Sequence, residues 1–454
     1  MPRIVRSLAT LSFATLMAIA ISGCATTDDE GDTSSFSLPK LADFNPFQVG
    51  KQPLPGQRVS ILTEKDTLTS NVEAAGGPVS LPPPVQNSEW ATSGGNAGNS
   101  PGHLALVGNL RTVWTADIGT GSSSAGKVTA SPIIHQGRIY ALDAAGTVSA
   151  YSLSGARAWS VSLAPESESA QEGFGGGIAA DGGRIFAVTG YGTAVALDAA
   201  SGAKLWEQKL GVPVRTAPTA ADGRVIGSDT DGQVFCLSAN DGSALWTYHG
   251  SPQQSAGILK KTAPAIAGDQ VIVPFVSGDL VALKIDSGTP VWTDSVNGAR
   301  ASATIASLSD PSSPAVEGGS VYAVSRSGRM IATNQRTGER LWSLPVNGVE
   351  MPWIAGDSVY VVDITGKLAA INRATGELRW AAKLPGTAKA WSGPVLAGSR
   401  LWLVSSKGQL VGVDPTTGQV AGQRDLGQPV YIAPVVADGR MYILTDRATL
   451  MALE

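Results

Sequence analysis

The chain has 454 residues, of which 43% are hydrophobic and only 15% are charged, and its formal net charge is −4. That balance argues against nucleic-acid binding, because such binding depends on an excess of lysine and arginine. Three histidines in the whole chain leave little room for histidine-based metal binding or acid–base catalysis. The 54 glycines and 27 prolines instead favour many short strands joined by tight turns.

The N-terminus has the pattern of an export signal. Two arginines among the first six residues precede an apolar stretch, residues 8–21, that is too short to span a bilayer as a helix. The stretch leads into Ile21–Cys24, which resembles a bacterial lipobox. We therefore expect residues 1–23 to be a lipoprotein signal peptide and Cys24 to be lipidated. An ordinary signal peptide followed by a chance cysteine is the alternative.

The segment after the signal, residues 24–88, is predicted to be a flexible lipidated tether. It contains an acidic run at 28–32 and three prolines at 82–84, with apolar residues scattered without a clear period. Ala25 follows the cysteine. In lipoprotein families an aspartate at that place commonly retains the protein at the inner membrane. Its absence implies an anchor in the outer membrane, facing the periplasm.

A Gly-x-x-x-Trp phrase is repeated through the rest of the chain. Its aromatic positions are spaced 38 to 50 residues apart, which is the repeat length of β-propeller blades. The eight positions are Trp114, Trp159, Trp206, Trp246, Trp292, Trp342, Trp380 and Gly422, the last without its aromatic. We expect these tryptophans to pack between neighbouring blades rather than bind a ligand. The missing aromatic at Gly422 predicts a looser seam there.

The two ends of the repeat array are complementary. Trp114 marks a fourth strand with no preceding three, and residues 449–454 form a third strand with no fourth. Proline near the start of most repeats suits the first residue of an inner strand, because it removes a backbone donor. The sequence therefore predicts an all-β fold over residues 89–454. It is an eight-bladed β-propeller of four-stranded antiparallel blades, closed by an N-terminal strand around Trp114.

Several other residues lie outside this register. Trp353 and Trp391 follow blade openings, so they are candidates to line the funnel or a loop face, and Trp353 is a candidate partner contact. Cys236 lies in an apolar strand and is expected to be a buried small hydrophobe.

The repeat, in the form Ala196-Leu197-Asp198 followed by Gly202 and Trp206, resembles the quinoprotein-dehydrogenase type of eight-bladed propeller over residues 89–454. Together with the lipobox and the chain length, it is similar to the BamB family of outer membrane lipoproteins. That resemblance implies a non-catalytic scaffold, without cofactor, in the outer-membrane β-barrel assembly (BAM) complex. The implied partners are BamA, through its periplasmic POTRA repeats, other BAM subunits and nascent outer membrane proteins.

The resemblance also implies which loops touch BamA. In the family an apolar–Arg turn makes the contact, and the matching residues here are Val212, Val214 and Arg215. The next contacting loop of the family is acidic, whereas the aligned segment here carries Lys260 and Lys261. That departure predicts a changed charge pattern on the partner.

Two alternatives stay open. A periplasmic pyrroloquinoline-quinone-dependent dehydrogenase would share the fold, although such alcohol dehydrogenases often carry adjacent cysteines and this chain has none. The segment Asp229–Gly232 hints at a calcium loop, but no glutamate follows at the required spacing, so a hairpin turn is the preferred interpretation. A tethered propeller serving another envelope complex would have the same repeats.

Overall fold

A computed structural model of the chain describes residues 68, 76–168, 173, 175–250, 262–297 and 311–454. The regular structure in these ranges is β-strand throughout, and no helix among them could cross a membrane. The predicted signal peptide and Cys24 lie outside the described residues.

The strands form eight four-stranded sheets, one for each blade of a propeller, as the repeat predicted. Blade 8 combines β1 (Thr112–Asp117) with β30 (Val435–Ala437), β31 (Arg440–Leu444) and β32 (Thr449–Leu453). Blades 1 to 4 comprise β2 (Ile133–His135), β3 (Arg138–Leu142), β4 (Thr147–Ser152) and β5 (Arg157–Ser162); β6 (Gly176–Asp181), β7 (Arg184–Thr189), β8 (Thr193–Asp198) and β9 (Lys204–Lys209); β10 (Thr219–Ala221), β11 (Arg224–Ser228), β12 (Gln233–Ser238) and β13 (Ala244–His249); β14 (Ala265–Ala267), β15 (Gln270–Pro274), β16 (Asp279–Lys284) and β17 (Pro290–Ser295). Blades 5 to 7 comprise β18 (Ala315–Glu317), β19 (Ser320–Val324), β20 (Met330–Asn334) and β21 (Arg340–Leu344); β22 (Trp353–Ala355), β23 (Ser358–Val362), β24 (Lys367–Asn372) and β25 (Leu378–Lys383); β26 (Trp391–Ala397), β27 (Arg400–Ser405), β28 (Gln409–Val413) and β29 (Val420–Asp425).

Burial within a blade follows the position of each strand. The second and third strands are buried along almost their whole length, because both faces of the sheet pack against neighbouring blades. The fourth strand alternates exposed and covered residues, as expected at the rim of the ring. Apolar, β-branched second strands and alternating fourth strands are therefore consequences of the same ring geometry.

The repeated tryptophans join neighbouring blades. In each of seven cases the indole Nε1–H donates to a backbone carbonyl in the turn between the third and fourth strands of the next blade, at 2.7 to 3.1 Å. The pairs are Trp114 with Leu153, Trp159 with Ala199, Trp206 with Ala239, Trp246 with Ile285, Trp292 with Gln335, Trp342 with Arg373, and Trp380 with Pro415. The prediction of a structural role is confirmed for these side chains.

The glycine of the repeat has a matching role. It lies in the same turn, has a positive φ, and faces the tryptophan of the preceding blade so closely that a Cβ would come within 2.5 to 2.8 Å of the side chain. The pairs are Gly155 on Trp114, Gly202 on Trp159, Gly242 on Trp206, Gly288 on Trp246, Gly338 on Trp292, Gly376 on Trp342 and Gly418 on Trp380. Glycine and tryptophan are thus two halves of one inter-blade contact.

The ring closes as the sequence predicted. Strand β1 pairs antiparallel with β32, and Trp114 lies opposite Ala452. At the neighbouring seam, where Gly422 replaces the aromatic, Arg424 reaches across to bond Leu110 O, and its Nη2 donates to Thr112 Oγ1 at 2.7 Å. A looser packing at this seam stays a prediction.

A non-repetitive segment, residues 76–110, crosses the face on which the first strand of each blade ends. We call this segment the strap, that side the strap face, and the opposite side the loop face. The strap pairs with the free edges of inner strands through backbone hydrogen bonds. These join Trp90 to Ile134 in both directions, Ala180 to Ala91, Ile266 to Ala97, Val316 to Gly98, and Leu104 to Leu396.

The strap begins inside the stretch predicted to be tether. Gly76 N–H donates to Leu378 O at 3.1 Å, and Ser80 N–H donates to an Asp357 carboxylate oxygen at 3.0 Å. Residues 76–88 therefore lie against the propeller, whereas the structure of residues 24–67 and 69–75 is not described. Strand edges that would otherwise be unpaired are covered by the chain itself.

Candidate partner-binding loop

The loop between β9 and β10, residues 210–218, is held in place by the turns on either side. Leu210 N–H donates to Gly192 O at 2.8 Å, and Val214 N–H donates to Thr189 O at 3.1 Å. On the other side, Thr230 N–H donates to Pro213 O at 3.0 Å. The loop therefore has a fixed backbone on the loop face, although it contains no regular secondary structure.

Gly192 is essential to this arrangement. Its φ is +70°, and a Cβ there would lie 2.9 Å from Val212 O, closer than real Cβ atoms come to backbone. The same close approach to a loop backbone recurs at Gly408 against Gln428, and at Gly278 the neighbour is the Asn297 side chain. The regular spacing of these glycines was the sequence signal that could have identified Gly192 as a positioning residue.

The three residues predicted to form the partner contact differ in exposure. Val212 and Arg215 are half-buried at the surface. Pro213, which lies between Val212 and Val214, is exposed. Val214 has no exposed surface, and packs in a core cluster with Phe186. The Val214 side chain therefore anchors the loop to the core. This corrects the expectation that it supplies an apolar contact to a partner.

The Arg215 side chain lies over the preceding blade. A Cβ added at Gly175 would be 3.1 Å from Arg215 Cγ, so the glycine-rich end of the 163–175 loop accommodates the arginine stem. Tyr191, half-buried in the turn beside Gly192, packs in a comparable way, since a Cβ at Gly173 would lie 2.2 Å from its ring. Sequence reasoning did not single out Tyr191 as part of this surface.

Trp353 lies elsewhere and is buried. Its exposed fraction is 1%, its Nε1–H donates to Gly102 O at 2.9 Å, and its ring stacks on Trp90 with centroids 6.4 Å apart. The strap thus covers it, so the expectation that Trp353 is a surface anchor is corrected. Lys260 and Lys261 lie outside the described residues, and their part in any contact stays a prediction.

The Asp229–Gly232 segment is a hairpin turn between β11 and β12. Asp229 Oδ1 accepts hydrogen bonds from Asp231 N–H at 3.0 Å and Gln233 N–H at 2.9 Å. The hairpin turn preferred from the sequence is therefore confirmed. Burial raises the pKa of the Asp229 carboxyl. Within the described ranges, no group of three or more His, Cys, Asp or Glu side chains is placed to hold a metal ion.

Comparisons with known proteins identify the family and the fold of the chain. A family model described as outer membrane protein assembly factor BamB matches residues 144–382 and 365–454. The chain is similar to the crystal structure of BamB from Moraxella catarrhalis, with 22% identity, a TM-score of 0.65, and coverage of 76% of this chain and 100% of that one. A comparison with curated proteins gives no match.

Enzymes with the same fold are also similar. The quinohemoprotein alcohol dehydrogenase from Comamonas testosteroni has 13% identity and a TM-score of 0.66, with 81% of each chain covered. The computationally designed Ika8 protein has 15% identity and a TM-score of 0.57, covering 74% of this chain and 99% of that one. At such identities these likenesses establish the propeller fold and nothing about activity.

Proposed function

The chain belongs to the family of outer membrane protein assembly factor BamB, and we propose that it is a non-catalytic scaffold lipoprotein of the BAM complex. In this proposal Cys24 anchors it to the outer membrane on the periplasmic side. The loop face binds the POTRA repeats of BamA, and the complex aids the folding and insertion of nascent outer membrane proteins.

The observation that carries the proposal is the fixed loop of residues 210–218. A surface that is already ordered strengthens a scaffold contact, because ordering a flexible loop on binding reduces the affinity. Three backbone hydrogen bonds to two neighbouring turns supply that order, and Gly192 allows the close approach. Arg215 and Val212 then offer a cation and an apolar side chain on one surface.

Arg215 is proposed to pair with a carboxylate of BamA. A guanidinium can donate two parallel hydrogen bonds to a carboxylate, which gives direction as well as attraction. Lys260 and Lys261 follow later in the sequence, and we propose that they too face an acidic region of the partner. This differs from the acidic second loop that the family resemblance implies.

Copurification tests the contact. We expect Arg215→Glu to reduce the amount of BamA recovered with the full-length protein from solubilised membranes. Arg336→Glu is the matched control, because Arg336 is exposed in the turn between β20 and β21 on the strap face. Equal recovery of BamA with both variants would sink the proposed site.

A second variant tests the positioning of the loop without changing a side chain that is proposed to contact BamA. Gly192→Ala should displace the Val212 backbone and weaken BamA recovery. Gly232→Ala should not, because Gly232 has a φ of +83° and nothing within 4 Å of an added Cβ. If both variants lose BamA equally, strain at a positive φ rather than the shape of the loop explains the effect.

The dehydrogenase alternative shares the fold, and the fold cannot choose between an enzyme and a scaffold. Purified protein mixed with pyrroloquinoline quinone and calcium distinguishes them. A bound quinone with dehydrogenase activity would favour the enzyme, and no quinone bound after gel filtration would favour the scaffold.

A further inference from the structure

His103 uses both of its ring nitrogens to hold the strap to blade 7. Its Nδ1 lies 2.7 Å from Pro82 O, and Ser399 N–H donates to its Nε2 at 3.0 Å. The side chain is only 4% exposed. One imidazole therefore joins two parts of the strap to the turn between β26 and β27.

These contacts require a neutral ring. A carbonyl oxygen can only accept, so Nδ1 carries the hydrogen, and Nε2 must keep its lone pair to accept from the Ser399 amide. A proton on Nε2 would set two donors against each other at 3.0 Å and leave a buried N–H without an acceptor. Histidine is the side chain that changes its charge most readily near neutral pH, and the protonated ring is incompatible with this pair of contacts.

The strap's other histidine contact has the opposite character. His135 Nδ1 lies 2.8 Å from Glu89 Oε2, and the second oxygen of Glu89 accepts from Gln136 N–H at 3.0 Å. A carboxylate accepts from a neutral or a protonated imidazole, so this contact survives protonation of the ring. Protonation of both rings should therefore leave the blade 1 end of the strap attached while it weakens the blade 7 end.

The strap residues around His103, 78–88 and 100–110, contain no other titratable side chain. Several charged groups of the blades lie against this part of the strap. Arg379 donates to Pro78 O, Glu317 Oε2 accepts from Ser100 Oγ, and Arg424 donates to Leu110 O. Glu454 faces Gly108, and Arg400, Asp438 and Asp357 lie nearby. The Arg400 guanidinium lies over the Trp402 ring at 6.0 Å, and an Asp357 oxygen accepts from Ser80 N–H. Asp438 holds the strap through its backbone amide, which donates to Asn87 O at 2.7 Å.

We propose that His103 is an acid-sensitive latch: the neutral ring fastens the strap to blade 7, and its protonation releases that end. Two further contacts depend on the latch. Leu104 N–H pairs with Leu396 O at 3.1 Å, and the carbonyl of Gly102 accepts from Trp353 Nε1. Release would therefore uncover the inner edge of β26 and loosen the stack of Trp90 on Trp353.

Hydrogen–deuterium exchange of the full-length protein at pH 8 and pH 5.5, corrected for the pH dependence of intrinsic exchange, tests the latch. We expect peptides spanning residues 100–107 to lose protection by about five- to a hundredfold at pH 5.5, the range for one buried donor left without a partner. Peptides covering β11 and β12 should keep their protection. No selective loss in the 100–107 peptides would overturn the proposal.

Two variants separate the latch from general acid sensitivity. His103→Phe cannot titrate, so whatever its basal protection, the difference between the two pH values should disappear. His135→Gln should retain that difference. If His103→Phe keeps the wild-type pH response, another group is responsible and His103 is not the latch. If this variant does not fold, His103→Gln, which cannot titrate either, replaces it in the same comparison.

Discussion

The inter-blade contact between glycine and tryptophan makes a quantitative prediction at Gly242. Its φ is +75°, and a Cβ there would lie 2.6 Å from Trp206 Cε3, while Trp206 Nε1 donates to Ala239 O in the same turn at 3.0 Å. Gly242→Ala must therefore displace the indole as well as strain the backbone. A left-handed alanine costs about 1–2 kcal/mol, and overpacking adds about 1–3 kcal/mol.

Gly223→Ala is a matched control for that substitution. Gly223 lies in the same blade, in the turn between β10 and β11, and has the same φ of +75°, but nothing lies within 4 Å of an added Cβ. Urea denaturation followed by circular dichroism should show a larger loss of unfolding free energy for Gly242→Ala, by about 1–3 kcal/mol.

A double-mutant cycle identifies the cause. In a Trp206→Ala background the extra cost of Gly242→Ala over Gly223→Ala should vanish, because the methyl group then has no indole to displace. Equal losses for the two glycine variants in the native background would refute the inter-blade account of the repeat. So would an extra cost that persists after Trp206 is removed.

Two further predictions concern the two cysteines of the chain. Cys236 has no exposed surface, and burial raises the pKa of its thiol to about 12. At pH 8 this thiol should therefore resist a thiol reagent in the folded protein and react in urea. Rapid labelling without urea would contradict its burial. Cys24→Ser should move the protein from the outer membrane fraction to the soluble periplasmic fraction or leave it with an uncleaved signal; unchanged outer membrane fractionation would contradict the lipid anchor.

The blades could be predicted because their chemistry repeats. Each blade needs a glycine in one turn and an aromatic ring to fill the space beside it, so Gly202 and Trp206 leave a periodic trace in the sequence. The closure of the ring followed from counting, since the strand containing Trp114 had no partners before it and the C-terminal strand had none after it.

The strap could not be predicted in the same way. It is attached largely through backbone hydrogen bonds, such as those between Trp90 and Ile134, and backbone groups leave no trace in residue identity. The segment does not repeat, and its prolines and polar residues suit a tether equally well. The burial of Trp353 depends on the strap, so its position followed from neither the repeat nor its own neighbours.

The candidate loop was located by resemblance, but its side chains were not all placed correctly. Val212 and Val214 are two residues apart in an irregular loop, where alternation does not tell which valine faces solvent. The amide of Val214 binds Thr189 O, and this turns its side chain into the core. Only the packed neighbours of the loop decide that Val212 and Arg215 form its surface.

The most direct test of the proposed function is the affinity of the purified mature lipoprotein for the periplasmic region of BamA. The account predicts that Arg215→Glu raises Kd at least about tenfold, equivalent to about 1.4 kcal/mol, because a charge partner becomes a like charge. Arg336→Glu on the strap face should leave Kd within about twofold on the same scale. Wild-type affinity for Arg215→Glu, or equal loss in both variants, would contradict a BamA contact centred on this loop.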